Sequence, residues 1–428
     1  MEILILVLSF LILLSIGVPV AWSIGISSLL TMLVGIPAIP SFTTVTQRMA
    51  TGLDSFALLA IPFFILAGQI MNRGGIARRL VKFAKTLVGS LPGGLAHVNI
   101  IAAMLFGAIA GSAAAAASAI GSFMTDEMEK EGYSKQFAAA VNITSSTTGL
   151  TIPPSNILIV YSLASGGVSI AALFLAGYVP GILTGLFLMI VAAVWAKRKG
   201  FSRGVRSKPS EVFRSFLDAL PSLLLLIVVI GGIVAGIFTA TEASAVAVLY
   251  CLILTFIYKE VSMKDLPDIF LASVGTTAIV MLLIGTSMSM SWIMAYENIP
   301  QNITDILLSV SDSKVVILLI INLILLFVGI FMDMTPAVLI FTPIFLPVVT
   351  KLGMDPTHFG IIMVLNLCIG LCTPPVGSVL FIGVGVAGTT IEKVVRPLLP
   401  LFIAMVVALI LVTYIPELSL WLPGAFGF

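Results

Sequence analysis

Long apolar stretches alternate with short polar joints along almost the whole chain. Runs such as residues 223–238 and 315–331 are long or numerous enough to cross a bilayer, which takes about 20 residues per helix. The roughly ten-residue alternating segments of an outer-membrane barrel are not found. The pattern predicts crossings over residues 3–15, 22–34, 54–71, 136–164, 170–196, 212–238, 242–258, 271–295, 358–388 and 394–414. Two apolar stretches break on themselves instead. Residues 91–130 are interrupted by "AGSAAAAAS", which predicts a re-entrant helical hairpin with arms 94–110 and 113–129 and a tip at Gly111 and Ser112. Residues 315–350 break at "MDMTP" and predict a second hairpin. Two crossings are broken inside: "LTIPPSN" (150–156) and "LCTPPVGS" (371–378) each place a Pro-Pro pair among small polar residues. Proline removes a backbone donor and blocks the helix behind it, so both segments are read as discontinuous helices.

Charge orients this pattern. Residues 72–85 hold five Lys or Arg and no acid, and residues 197–208 hold six. Cytoplasmic loops carry an excess of Lys and Arg, so both are assigned to the cytoplasm, with the mixed loop 126–135 and the loop 259–268 on the same side. The segment 296–314, with one Lys and three acids, is assigned to the outside. Traced backwards, the chain starts outside, and its first stretch is read as a retained helix because Glu2 stands where a signal peptide carries basic residues. Trp22, Trp195, Trp292 and Trp421 all fall near predicted segment ends, as an interfacial belt requires.

Composition agrees with an all-α integral membrane protein. The 428 residues are 59% hydrophobic and 9% charged, against about 25% charged in soluble domains. The net charge of +2 offers nothing to nucleic acid. Cys251, Cys368 and Cys372 are read as small apolar filler, since two cysteines four apart without other soft ligands make a poor metal site. His97 and His358 are single and read as structural or interfacial. Neither an H-E-x-x-H pair nor a P-loop is present, so hydrolytic and ATP-driven functions drop out. A channel would need a continuous polar path, whereas the polar residues cluster centrally.

The halves align. Pro153-Pro154 meets Pro374-Pro375 at an offset of 221 residues (153 to 374), the tip at Gly111 meets Asp333 at 222, and "ILAGQIMNRGG" (65–75) lies opposite "TSMSMSWIMAY" (286–296) near the same offset. With one hairpin on each side of the membrane, this is an inverted repeat. Secondary transporters are often built so, with sites near the midplane where helices are interrupted. Each half then brings a hairpin tip to a broken helix and gathers carbonyls and hydroxyls without fixed charge. A hard cation such as sodium prefers oxygen ligands. The candidates are Ser112, Ser145, Thr148, Gly149 and Thr151 in one half, and Gly329, Asp333, Thr335, the carbonyl of Cys372, Thr373 and Gly377 in the other. The competing reading is that these hydroxyls only satisfy broken backbone. Asp333 is the one acid predicted deep in the membrane, where ionisable groups are costly and functional; ion ligand, proton carrier and helix cap all stay open for it. No Lys or Arg is predicted at the midplane. An anion would therefore rest on helix N-termini, which attract negative charge: those after Ser112, Ser155, Thr335 and Ser378, with Asn156 and Pro336 beside them. Pro336 is expected as a first helical residue with Thr335 as its cap.

The stretches "GSAAAAASAIGS", "SSTTGLTIPPSN", "MDMTPAVLIFTPIFLP" and "LCTPPVGSVLFIG" resemble the large membrane subunit of tripartite ATP-independent periplasmic (TRAP) transporters, over essentially the whole chain. The resemblance implies an elevator-type secondary transporter of the bacterial inner membrane, driven by two or more sodium ions. It also implies a small four-helix membrane subunit, expected here as a separate chain, and a soluble periplasmic binding protein that delivers the substrate. Carried over, residues 91–165 and 315–388 form the moving transport domain. Residues 1–90, 166–314 and 389–428 form the scaffold, with 73–90 and 298–313 as arms. Expected substrates are organic acids such as sialic acids or C4-dicarboxylates. The alternative is a proton-coupled or binding-protein-independent organic anion transporter of a related inverted-repeat fold.

Overall fold

The structure is a computed structural model describing residues 2–201, 204, 207–311 and 313–428. Arg203 and Arg206 of the second basic loop, and Asp312 of the acidic segment, lie outside the described residues. Every regular element among the described residues is a helix. In chain order they are α1 (Glu2–Ser15), α2 (Val20–Gly35), α3 (Ala38–Leu53), α4 (Ala60–Arg73), α5 (Ile76–Val88), α6 (Gly94–Ala110), α7 (Ala113–Lys130), α8 (Lys135–Thr148), α9 (Asn156–Ala164) and α10 (Ile170–Lys199). There follow α11 (Pro209–Val234), α12 (Ala240–Ile257), α13 (Leu266–Tyr296), α14 (Ile299–Val310), α15 (Lys314–Phe331), α16 (Met334–Lys351), α17 (Pro356–Gly370), α18 (Ser378–Ala387), α19 (Ile391–Tyr414) and α20 (Glu417–Ala425). Among the described residues, eight helical stretches are long and apolar enough to cross a membrane. The expected first two crossings are shorter: α1 has 14 residues and α2 has 16, about 21 and 24 Å at 1.5 Å per residue.

The helix boundaries follow local signals. The arms of the first predicted hairpin are α6 and α7, and the turn between them puts Gly111 at φ +61°, a left-handed conformation that glycine adopts without steric cost. Ser112 then caps α7, its hydroxyl accepting from the Ala115 N–H at 3.2 Å. Two helices were not foreseen. α3 is amphipathic, with Thr43, Thr46, Gln47 and Arg48 exposed, and the terminal α20 follows Pro416. Two expected caps move. Asp333, not Thr335, is the N-cap of α16, which places Pro336 third in that helix. α18 starts at Ser378 itself, with Gly377 before it. At α16 the extended backbone ends with Met332 and Asp333, and at α18 Gly377 turns the chain directly into the helix at φ +40°.

The polar joints sort to two ends. At one end α5 is tied to its neighbours. Arg78 meets Glu260 at 2.8 Å, Lys85 meets Glu127 at 2.9 Å, and Arg79 lies 3.6 Å over the Tyr258 ring with Asp218 at 3.4 Å. The start of α6 at Gly93 abuts Ala192 and Ala196 near the end of α10. The loops assigned to the cytoplasm thus gather together. At the other end Tyr161 Oη donates to the Pro356 carbonyl at 2.6 Å, and Tyr414 Oη donates to Val315 at 2.8 Å. The pair α6–α7 therefore begins at the basic end, whereas α15 begins at the opposite one. His97 and His358 are buried and face backbone carbonyls, of Pro92 at 3.0 Å and Thr413 at 3.4 Å. Trp22, near the start of α2, and Trp421, midway along α20, are exposed, while Trp195 stacks on Phe137 at 5.4 Å.

Arg79 is the anchor of α5, because stacking on an aromatic face adds to its ion pairs. Arg79→Ala is expected to cost about 1–2 kcal/mol and lower the thermal midpoint in detergent. Lys82, whose side chain is 64% exposed, should change stability by less than about 0.5 kcal/mol when replaced by Ala; equal losses would show that charge alone holds α5.

Candidate ion and substrate site

Each helical pair is pinched against a broken helix by two glycines. In the first half Gly149, just past α8, lies against Gly107 of α6; a Cβ on Gly149 would stand 2.7 Å from the Gly107 Cα. In the second half Gly370, at the end of α17, lies against Gly329 of α15, and a Cβ on Gly370 would meet Gly329 at 2.6 Å. The backbone then leaves the helix in both halves. Pro153-Pro154 and Pro374-Pro375 are both cis. The Gly377 N–H donates to the Ile330 carbonyl at 3.1 Å, tying the second break to the second tip. At the first tip, Gly111 sits beside the Asn156 side chain.

The two breaks also touch one another. Thr147 Oγ1 lies 3.2 Å from Cys372 Sγ, and Thr151 Oγ1 lies 3.8 Å from Cys368 Sγ. The ion-ligand candidates of the two halves are thus back to back. Cys368 and Cys372, read as filler, form this contact between the breaks, and both are fully buried.

Both tips and both helix restarts open onto one cavity of about 480 Å³. Its polar lining is Ser112, Asn156, Asp333, Thr335 and Ser378 from the tips and restarts, with Gln69, Asn72 and Thr276 from α4 and α13. No Lys or Arg lines it among the described residues. Asp333 is exposed, and the space it opens onto is this cavity. Its side chain makes no capping hydrogen bond to α16.

The other candidates lie behind this wall. Ser145, Thr148 and Thr373 donate their hydroxyl protons to helix carbonyls, of Val141 at 2.7 Å, Thr144 at 3.0 Å and Ile369 at 2.7 Å. That leaves their lone pairs available as acceptors. Gly149 and Gly329 serve the close contacts. Thr151 and Cys372 face the opposite break. Pro336 is buried, and Ser155, the N-cap of α9, has a buried hydroxyl without a protein partner. The cavity therefore unites Ser112, Asn156, Asp333, Thr335 and Ser378, but not Pro336 or Ser155.

Four buried amides escaped the sequence reading. Asn99 Nδ2 reaches Ser145 Oγ at 3.4 Å, and Asn366 Nδ2 reaches Asn322 Oδ1 at 2.8 Å. Asn142 Nδ2 donates to the Ala117 carbonyl at 2.7 Å. The carbonyl oxygens of Asn99, Asn142 and Asn366 have no partner among the described residues. The signal was available: single Asn residues inside apolar helices are costly to bury unpaired, and Asn99 and Asn322 sit at nearly the offset that separates the two Pro-Pro pairs.

Residues 7–418 match the family described as tripartite ATP-independent periplasmic transporter, DctM component. The chain belongs to that family. This DctM chain is 58% identical to the uncharacterized protein YgiK of Salmonella typhimurium over 98% of its length and 96% of YgiK. It is 41% identical to the isethionate TRAP transporter permease protein DctMQ of Oleidesulfovibrio alaskensis, over 97% of the chain and 65% of that protein. It is 40% identical to the sialic acid TRAP transporter large permease protein SiaM of Vibrio cholerae, over 89% of both. Among solved structures, the Alcanivorax borkumensis YdaH transporter shares the fold, with a TM-score of 0.64 at 12% identity, over 90% of this chain and 88% of that one. The family makes this DctM chain a membrane transporter component.

The glycine pinches give a direct test. Gly149→Ala and Gly370→Ala each force a methyl into backbone, an overpacking cost of about 1–3 kcal/mol. Thermal unfolding in detergent should show both losses. Gly231→Ala, where an added Cβ meets nothing within 4 Å, should show none.

Proposed function

We propose that the protein carries out sodium-coupled secondary active uptake of an organic acid, a sialic acid or a C4-dicarboxylate, by an elevator mechanism in the bacterial inner membrane. The observation that carries this reading is the single cavity onto which both tips and both helix restarts open, lined by neutral hydrogen-bonding groups and one carboxylate. The helices starting after Ser112, Ser155, Asp333 and Gly377 direct their positive ends towards an acid in that space. The volume of about 480 Å³ lies within the range of about 300–1,000 Å³ usual for small-molecule sites.

Sodium enters as a co-transported ion. Ser112, Ser145, Thr148, Gly149 and Thr151 supply oxygens in one half. Gly329, Asp333, Thr335, Cys372, Thr373 and Gly377 supply them in the other, by side chain or carbonyl. The donor set fits a hard cation: lone pairs on hydroxyls whose protons already point at helix carbonyls, and partnerless amide oxygens close by. In this reading α6–α9 and α15–α18 move as one body, with the two pairs as re-entrant hairpins of an inverted repeat and α5 and α14 as arms. The interlocked breaks support this, because Thr147 against Cys372 holds the halves of that body together. A small four-helix membrane subunit and a periplasmic binding protein complete the system. That reading is supported by the tripartite, periplasmic family description and by relatives named for isethionate and sialic acid.

In proteoliposomes holding the large and small subunits, with the binding protein outside, uptake of labelled acid should require sodium outside. Unchanged uptake with choline in its place would leave the proton-coupled alternative. Asp333→Asn should reduce uptake at least about tenfold, the scale of losing one charge-assisted interaction of 1.5–3 kcal/mol. Near-normal activity would remove Asp333 from the ion site.

A further inference from the structure

The cavity has a second wall that the ion and helix-terminus chemistry does not use. On α4 the face that lines it reads Ile61, Ile65, Gly68, Gln69, Asn72, a helical stripe at spacings of three and four. The first two are apolar and buried, and the stripe turns polar towards the end that bears the basic loops. Gly68 brings this wall close, since a Cβ there would stand 2.8 Å from the Ala110 carbonyl at the first tip. Gln69 is half-buried and Asn72 is exposed, and no protein group bonds either amide among the described residues. A side-chain amide at that depth is costly unless water or a ligand meets it. Across the cavity Asn156 presents a buried, partnerless Oδ1. The aligned stretch at the other end of the molecule has no such amides. There Met290 and Ile293 stand opposite Gln69 and Asn72, both buried and apolar.

We propose that Gln69 and Asn72 form a release subsite, which hydrogen-bonds the hydroxyl or carboxylate groups of the acid only when the cavity faces the cytoplasm. The proposal rests on the uptake reading above. The tips and restarts travel with the acid, whereas α4 belongs to the stationary part. Its two amides therefore bind one stage of the cycle, and the apolar Met290 and Ile293 leave the opposite stage without an equivalent. The two sides of the membrane then bind the acid with different affinity.

The test uses the assembled complex with sialic acid, succinate and isethionate as probes. A Thr276→Cys reporter, on the cavity wall, is labelled with a maleimide in inverted vesicles containing sodium; Cys251, Cys368 and Cys372 are buried and give little background. A probe that the complex takes up should slow labelling. Gln69→Met with Asn72→Leu should raise its half-protecting concentration at least threefold. The half-saturating concentration of acid-loaded binding protein, measured from the other side, should not change. Gln69→Asn should keep protection within twofold of the parent. Unchanged protection in the double variant, or equal shifts on both sides, overturns the subsite while the uptake reading stands. If the double variant does not insert, Gln69→Met alone decides between the same outcomes. If the unmodified complex takes up none of the probes, the uptake reading fails first and the subsite with it.

Discussion

Backbone that leaves a helix inside a bilayer has to find its hydrogen bonds within the protein, and the rest of this architecture answers that demand. Two tips and two breaks expose backbone at once. The solution is mutual: tip against break within each half, and break against break between halves. The Gly377 N–H to the Ile330 carbonyl is one such bond. The two glycine contacts bring the backbones near enough for the arrangement to close. Once closed, it concentrates oxygen atoms and helix N-termini in a space lined by no lysine or arginine among the described residues. The site proposed above for ions and an acid would follow from how interrupted helices are kept tolerable.

The charge distribution serves the same end. The ion pairs described here lie at the end that carries the basic loops, away from the interrupted backbone. Arg79, stacked on Tyr258 and paired with Asp218, fixes α5 where it leads into the first helical pair. Among the described residues, the polar side chains that line the cavity are neutral apart from Asp333. This leaves the field near the tips to the helix ends and the Asp333 carboxyl.

Much of this was legible because the signals are local. Gly111 and Ser112 mark a helix end and a cap in consecutive residues, and the arms 94–110 and 113–129 match α6 and α7 to within one residue. The Pro-Pro pairs marked both breaks for the same reason. What escaped depends on contacts distant in sequence. α3 carries Thr43, Thr46, Gln47 and Arg48 on its exposed face, so hydropathy alone passes over it. The caps at Asp333 and Gly377 depend on where each tip is held by its partner helix. Asn99 meeting Ser145, and Asn322 meeting Asn366, are pairings of side chains 46 and 44 residues apart. The cavity itself has no signature in any one segment, since α4, α7, α9, α13, α16 and α18 each contribute only a few residues.

The contact of Thr147 with Cys372, and of Thr151 with Cys368, has a consequence for how such a chain can change. Two halves that merely stood side by side could drift, one specialising while the other kept its old sequence. Here the innermost atoms of each half are the other half's packing partners, separated by 225 and 217 positions. A larger side chain at 372 has to be answered at 147, and a lost methyl at 151 leaves a gap against 368. The two halves have to vary in step at their centre, while these contacts place no such demand on their rims.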